Sequence, residues 1–412
     1  MLDLKQGSLR QNLACGRTER NRDGGAGMSL ISYLTTIRFQ AGALSDVGND
    51  MRELGITTPL IVTDAGIARV GLVDRLIGVL SAGQHIPVFA DTPTNPTEGA
   101  VMAALDLYQS HGCDGLIAIG GGSPIDLAKG VALLSTHDGP LEQYAAILGG
   151  IPKISAAVAP LIAIPTTAGT GSEVGRAALI TLEDGRKLGF ISPHLIPKRA
   201  ICDPDLTLGL PPALTAATGM DAITHCIETF LSPRFNPPAE AIALDGLVRA
   251  IGNIERAVAQ GSDRMARHEM MMAALEGGLT FQKGLGAVHA LSHPLGGLKQ
   301  VSLHHGTLNA VLLPYVLEFN RSHAEAKYAT IRQRLGLNDA VDLADYVRSL
   351  NSRLGMPATL AEMGVPRDSF ALIAKSATED HSSATNPRPA SEADYQAILE
   401  AAYAGIPLRS GA

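Results

Sequence analysis

The chain has 412 residues but no run of about 18 apolar ones, the length a helix needs to cross a bilayer, so no membrane span is expected. The longest mostly apolar stretch, residues 154–164, is too short and is closed by Pro165. Cysteine is scarce: Cys15, Cys113, Cys202 and Cys226 stand alone, with no CxxC pair. Isolated thiols in a long chain argue against a disulfide framework and read as a reduced, cytoplasmic protein. Net positive charge is also lacking, since the formal charge is −7. An acidic globule repels a phosphate backbone, which argues against nucleic acid as a partner. Residues 1–27 lack the apolar core of a secretory leader, and Asp3, Glu19 and Asp23 argue against a mitochondrial presequence. They read as a disordered tail or an upstream mis-start before Met28.

Apolar residues make up 46% of the chain and charged residues 18%, enough for sizeable buried cores. The texture changes along the sequence. From about residue 31 to 206, short apolar runs (60–62, 87–89, 116–119, 161–164) alternate with helical stretches. Continuous apolar runs suit strands buried on both faces of a parallel sheet, and alternation with helices implies an α/β layer fold. Beyond residue 206 the strand signals fade. Residues 214–230, 238–259, 263–280, 308–320, 324–335 and 343–354 carry helical spacing. The expected division is a tail at 1–27, a dinucleotide-binding α/β domain at 28–205 and a helical metal-binding domain at 206–412. The boundary falls near the turn formers Asp203, Pro204 and Asp205.

Gly120-Gly121-Gly122-Ser123-Pro124-Ile125-Asp126 follows the apolar run 116–119 and precedes a helical stretch. Glycines let a backbone approach a pyrophosphate, and a helix N-terminus supplies free N–H groups and positive potential. A tight strand-to-helix turn with no ligand is the plainer alternative, and the GxGxxG fingerprint is absent. A second loop, Pro165-Thr166-Thr167-Ala168-Gly169-Thr170-Gly171-Ser172-Glu173, offers hydroxyl donors for phosphate and ribose. Asp64 ends the first run and suits either a ribose hydroxyl, favouring NAD, or a helix cap.

Asp221 and His225 are four apart, as are His289 and His293, which puts each pair on one helix face. His304-His305-Gly306 follows. An aspartate with imidazoles suits a borderline divalent cation, Fe²⁺ or Zn²⁺, with room left for a substrate oxygen. For His85, His111, His137, His268 and His323 an ordinary core or surface role is expected.

Together, the glycine turn, the Pro165 loop, residues 219–225, residues 286–296 and His304-His305-Gly306 resemble the iron-containing (group III) alcohol dehydrogenase family, in the family's order, over residues 28–403. The resemblance implies a Rossmann-like α/β domain followed by an all-α domain, the dehydroquinate synthase-like architecture. It implies Asp221, His225, His289 and His305 as metal ligands and His293 as a proton relay beside the nicotinamide. It places Asp64, Gly121, Gly122, Ser123, Asp126, Thr166, Thr167 and Lys187 at the dinucleotide. The retained ligand set argues against the metal-free maleylacetate reductase branch. Residues 184–190, 194–198, 219–238 and 303–310 look closer to bacterial 4-hydroxybutyrate dehydrogenases.

The implied activity is NAD-linked oxidation of a primary alcohol, 4-hydroxybutyrate to succinate semialdehyde, with Fe²⁺ or Zn²⁺ as Lewis acid. A hydroxy acid needs a cation for its carboxylate. Arg176, where small or hydroxyl residues are usual in the family, is the candidate, with a surface arginine as the alternative. Rival readings are a dehydrogenase for a generic alcohol or diol, a dehydroquinate-synthase-like lyase, and an inactive binding protein. A homo-oligomer, dimer or larger, is expected. Asn386-Pro387-Arg388 matches a family signature without a role legible in the sequence.

Overall fold

In the computed structural model, residues 35–80 and 85–408 are described. The expected tail at 1–27 lies outside them. The first part runs Thr36–Phe39 (β1), Val47–Leu54 (α1), Pro59–Val62 (β2), Ala65–Arg69 (α2), Leu72–Leu80 (α3), Val88–Phe89 (β3), Glu98–Ser110 (α4), Gly115–Gly120 (β4), Gly122–Leu134 (α5), Leu161–Pro165 (β5), Ala177–Thr181 (β6), Lys187–Ile191 (β7) and Arg199–Cys202 (β8). Six strands form one parallel sheet in the order β1-β8-β5-β4-β2-β3. β2, β4 and β5 are buried along their whole length, as the apolar runs predict, and so is β8, which no such run marked. Their side chains alternate between two cores. Leu60, Val62, Leu116, Ala118, Leu161 and Ala163 pack on one face with α4 and α5. Ile61, Ile117, Ile119, Ile162 and Ile164 pack on the other with α1 and α3.

One departure from the all-parallel expectation is the antiparallel hairpin β6–β7, pinned by the pairing of Ala177 with Ile191 through Thr181 with Lys187. β6 alternates half-buried and buried residues, the pattern of a sheet with one covered face. The turn uses Gly185 at φ 90°.

The second part is helical: Pro212–Leu231 (α6), Pro237–Ala259 (α7), Arg264–Leu279 (α8), Ala287–Gly296 (α9), His305–Arg334 (α10), Leu343–Arg353 (α11), Phe370–Glu379 (α12) and Glu392–Ala404 (α13). α6 is buried from Thr215 to Leu231 and forms the axis of this core. The two helices expected at 308–320 and 324–335 are one continuous helix, α10. The polar residues between the two expected segments, Arg321, Ser322 and His323, are exposed. Close approach of α10 to α6 requires Gly306, where a Cβ would stand 2.2 Å from the Ala217 carbonyl oxygen. Among the described residues no helix is long and apolar enough to cross a membrane.

Candidate active site

A cleft of about 1310 Å³ opens between the carboxyl edge of the sheet and the helices. The sheet order reverses direction between β2 and β4, the switch point where open α/β sheets bind ligands. One wall is formed by the loops after β2, β4 and β5, the other by α6, α9 and α10.

On the helical wall, Asp221 Oδ1 gathers three imidazoles. His225 Nε2 lies 3.5 Å away, His305 Nε2 3.7 Å and His289 Nε2 3.8 Å. Ligand atoms about 2.1 Å from a tetrahedral cation are roughly 3.4 Å apart, so this spacing fits a metal. The candidate ligand atoms of Asp221, His225 and His289 also lie within 4.8 Å of one another. The other ring nitrogens fix the tautomers. His225 Nδ1 donates to the Gly169 carbonyl at 3.2 Å, and His289 Nδ1 donates to Glu228 Oε2 at 2.6 Å. In the neutral ring, each Nε2 is thereby left as the acceptor. Among the described residues, His305 Nδ1 has no partner.

The electrostatics separate these groups. Burial disfavours the Asp221 carboxylate, but His225, His305 and His289 outweigh it and hold the group below its ordinary value. Burial pushes His225 down to about 4 despite Asp221, and drives His305 well below its usual value. Burial opposes charge on His289 too, yet hydrogen bonds to Asp221 and Glu228 raise it to about 9. Proton release from that imidazole would accompany metal binding.

Three partners in this wall are absent from the sequence reading. Glu228 accepts from the backbone N–H of Gly286 (3.0 Å) and Val288 (2.7 Å), so one carboxylate caps α9 and orients His289. Asn309 Nδ2 donates to Asp221 Oδ1 at 2.7 Å and lies 3.1 Å from His305 Nε2. Asp380 Oδ2 accepts from His293 Nδ1 at 2.8 Å, and His293 with His381 holds Asp380 below its ordinary value against the effect of burial. His381 stacks on His293 with centroids 5.7 Å apart. The Asn386 signature gains a role as well. Its Oδ1 accepts from Ala287 N–H at 3.1 Å at the start of α9, and its amide is paired with Asn320 of α10.

The sheet wall presents backbone and hydroxyls. α5 begins at Gly121 with no side-chain cap, so its first N–H groups face the cleft. Gly120 turns at φ 153° and a Cβ there would meet Pro124 at 2.7 Å. Gly121, Gly122, Ser123, Thr166, Thr167 and Lys187 all line the cleft. Ser123 donates to the Thr94 carbonyl, Lys187 donates to Asn95 at 2.9 Å, and the buried Thr166 hydroxyl has no partner among the described residues. Asp64 Oδ1 caps α2 through Gly66 (2.8 Å) and Ile67 (3.0 Å), which is the alternative role considered for it. Asp126 lines the cleft but is held by protein groups: it accepts from Ser172 and from Leu179 N–H at 3.0 Å, which fastens β6 to α5. Arg176 is half-buried in the same cleft.

A glycine-opened helix start and an Asp-His-His-His cluster thus line the same cleft. The profile described as iron-containing alcohol dehydrogenase matches residues 35–204, and that of the Fe-containing alcohol dehydrogenase family, C-terminal, matches residues 215–403. The chain belongs to the iron-containing alcohol dehydrogenase family. It is an oxidoreductase that acts on alcohols. It is 54% identical to 4-hydroxybutyrate dehydrogenase of Cupriavidus necator, over 90% of this chain and 99% of that enzyme. The crystal structure of a 1,3-propanediol oxidoreductase superposes with TM-score 0.85 at 36% identity, over 91% of this chain and 100% of the other. Sulfoacetaldehyde reductase from Bifidobacterium kashiwanohense in complex with NAD⁺ gives TM-score 0.81 at 27% identity, over 91% and 99%.

Proposed function

We propose that this enzyme oxidises 4-hydroxybutyrate to succinate semialdehyde with NAD⁺, using a divalent cation at Asp221, His225, His289 and His305. The observation that carries the reading is that three imidazole Nε2 atoms stand 3.5–3.8 Å from Asp221 Oδ1, across a cleft from a helix start with no side-chain cap. The likeness to the Cupriavidus necator enzyme supports the substrate. Asp221 and three imidazoles suit Fe²⁺ and Zn²⁺ alike, and family membership favours Fe²⁺.

When bound, the cation would supply Lewis acidity for the alcohol oxygen and NAD⁺ would supply the hydride acceptor. Gly121 and Gly122 let the backbone approach the pyrophosphate, Thr166 and Thr167 offer hydroxyls, and Lys187 adds a cation to that wall. His293 takes the hydroxyl proton at Nε2, because Nδ1 is committed to Asp380. Asp380 orients the ring through that hydrogen bond. Arg176 pairs with the substrate carboxylate.

The test is NAD⁺ reduction by the Fe²⁺-reconstituted protein, with 4-hydroxybutyrate and 1-butanol at equal concentration. A kcat/KM at least about tenfold higher for the acid, roughly 1.4 kcal/mol, supports the assignment. A preference for butanol returns the substrate to a generic primary alcohol.

A further inference from the structure

Arg234 follows the C-terminal end of α6, the helix that carries Asp221 and His225, and Arg176 stands just before β6. Both line the cleft that contains the metal cluster. Arg176 is half-buried and Arg234 is exposed. Among the described residues neither guanidinium has a carboxylate within ion-pair distance, although most other arginines of the chain do. Burial first, and the charge of Arg234 second, hold the Arg176 guanidinium below its ordinary value. Arg176 also lies near enough to bear on His381, which stacks on His293.

Two like charges in one cleft, neither with a carboxylate in ion-pair distance, cost free energy, and an anion between them reverses the sign of that interaction. A guanidinium is always charged and offers a planar fork that fits a carboxylate, so two forks can grip both oxygens of one carboxylate. His381 stacks on His293 and His293 on His305 of the metal cluster, each with centroids 5.7 Å apart, so a row of rings links the Arg176 side of the cleft to the cluster.

We propose that Arg234 joins Arg176 in a two-guanidinium subsite that binds the carboxylate of an ω-hydroxy acid and so sets which chain length reaches the metal cluster. This rests on the hydroxy-acid reading of the site and deepens it by naming a second specificity-determining residue. The half-buried Arg176 supplies the larger share, while Arg234 closes the subsite from the solvent side.

The experiment compares Arg176→Ala, Arg234→Ala and Arg234→Lys in the Fe²⁺-loaded enzyme. Substrates are 3-hydroxypropionate, 4-hydroxybutyrate, 5-hydroxypentanoate and 1-butanol. The expected KM for 4-hydroxybutyrate rises roughly 30–100-fold in Arg176→Ala and roughly 3–10-fold in Arg234→Ala, with KM for 1-butanol and for NAD⁺ held within about twofold. Arg234→Lys recovers part of the loss. Both alanine variants flatten the preference among the three acids. A readout without turnover is calorimetric binding of butyrate, which weakens in each alanine variant by factors like those for KM.

Arg234→Ala with unchanged KM and chain-length profile, in an enzyme that still prefers the acid, overturns the proposal and leaves the hydroxy-acid reading standing. A rise in KM for NAD⁺ in place of the acid also overturns it, because the pair would then serve a cofactor phosphate. A wild-type enzyme that prefers 1-butanol overturns both readings together.

Discussion

On the helical wall of the cleft, the candidate ligand side chains are held in place by protein partners, whereas the sheet wall exposes backbone. Asp221, His225 and His289 are each fixed by a named partner, and Glu228 serves α9 and His289 at once. Across the cleft, the α5 start has no cap and the Thr166 hydroxyl has no partner among the described residues. The contrast follows from what each wall would bind. A small cation needs donors pre-set to a few tenths of an ångström, so their partners matter nearly as much as the ligands. A dinucleotide brings its own acceptors, so that wall keeps donors in reserve.

Several substitutions sharpen this comparison. The largest expected effect lies in the sheet-wall loop, at Glu173, which is buried and pushed up to about 7 by burial, from an ordinary 4.5. The gap corresponds to about 3 kcal/mol at most. An acid raised in the folded state ionises first in the unfolded chain, so its contribution to stability is greatest below pH 4.5, falls between 4.5 and about 7, and is flat above. Glu173→Gln therefore raises Tm little at pH 5 and most at pH 8, as read by calorimetry. A uniform shift at both pH values would mean that ionisation is not the cause. Glu228→Gln, on the helical wall, should weaken metal affinity about 10–100-fold in a chelator competition, with the fold kept. Unchanged affinity would show that His289 needs no orienting partner. Asp64→Ala is the smallest: loss of the α2 cap costs about 1 kcal/mol. A gain in NADP use by that variant would show that its free oxygen also faces the ribose.

Legibility in the sequence differs between the walls too. Side-chain chemistry on one helix could be read from spacing: Asp221 and His225 are four apart, and Glu228, three further on, shares their face of α6 and could have been found the same way. Asn309, four after His305 on α10, carried the same signal. Asp380 did not, because it reaches His293 across 87 residues, and only packing brings them together. The buried strands were legible because apolar runs mark sheets covered on both faces. The β6–β7 hairpin was not among the runs read as strands, although its half-exposed alternation is visible once its pairing is known. The role of Asp126 depends on groups that reach its oxygens from 46 and 53 residues away, and no local pattern encodes that, whereas the Asp64 cap is local and was one of its two readings.

The most direct test of the two-wall account is His225→Ala, with bound metal and NAD⁺ affinity measured on the same folded sample. The account predicts metal affinity reduced more than about 100-fold and turnover lost with it, while the NAD⁺ Kd stays within about threefold. Retained metal and activity, or NAD⁺ binding that collapses along with the metal in a protein of unchanged Tm, would contradict it.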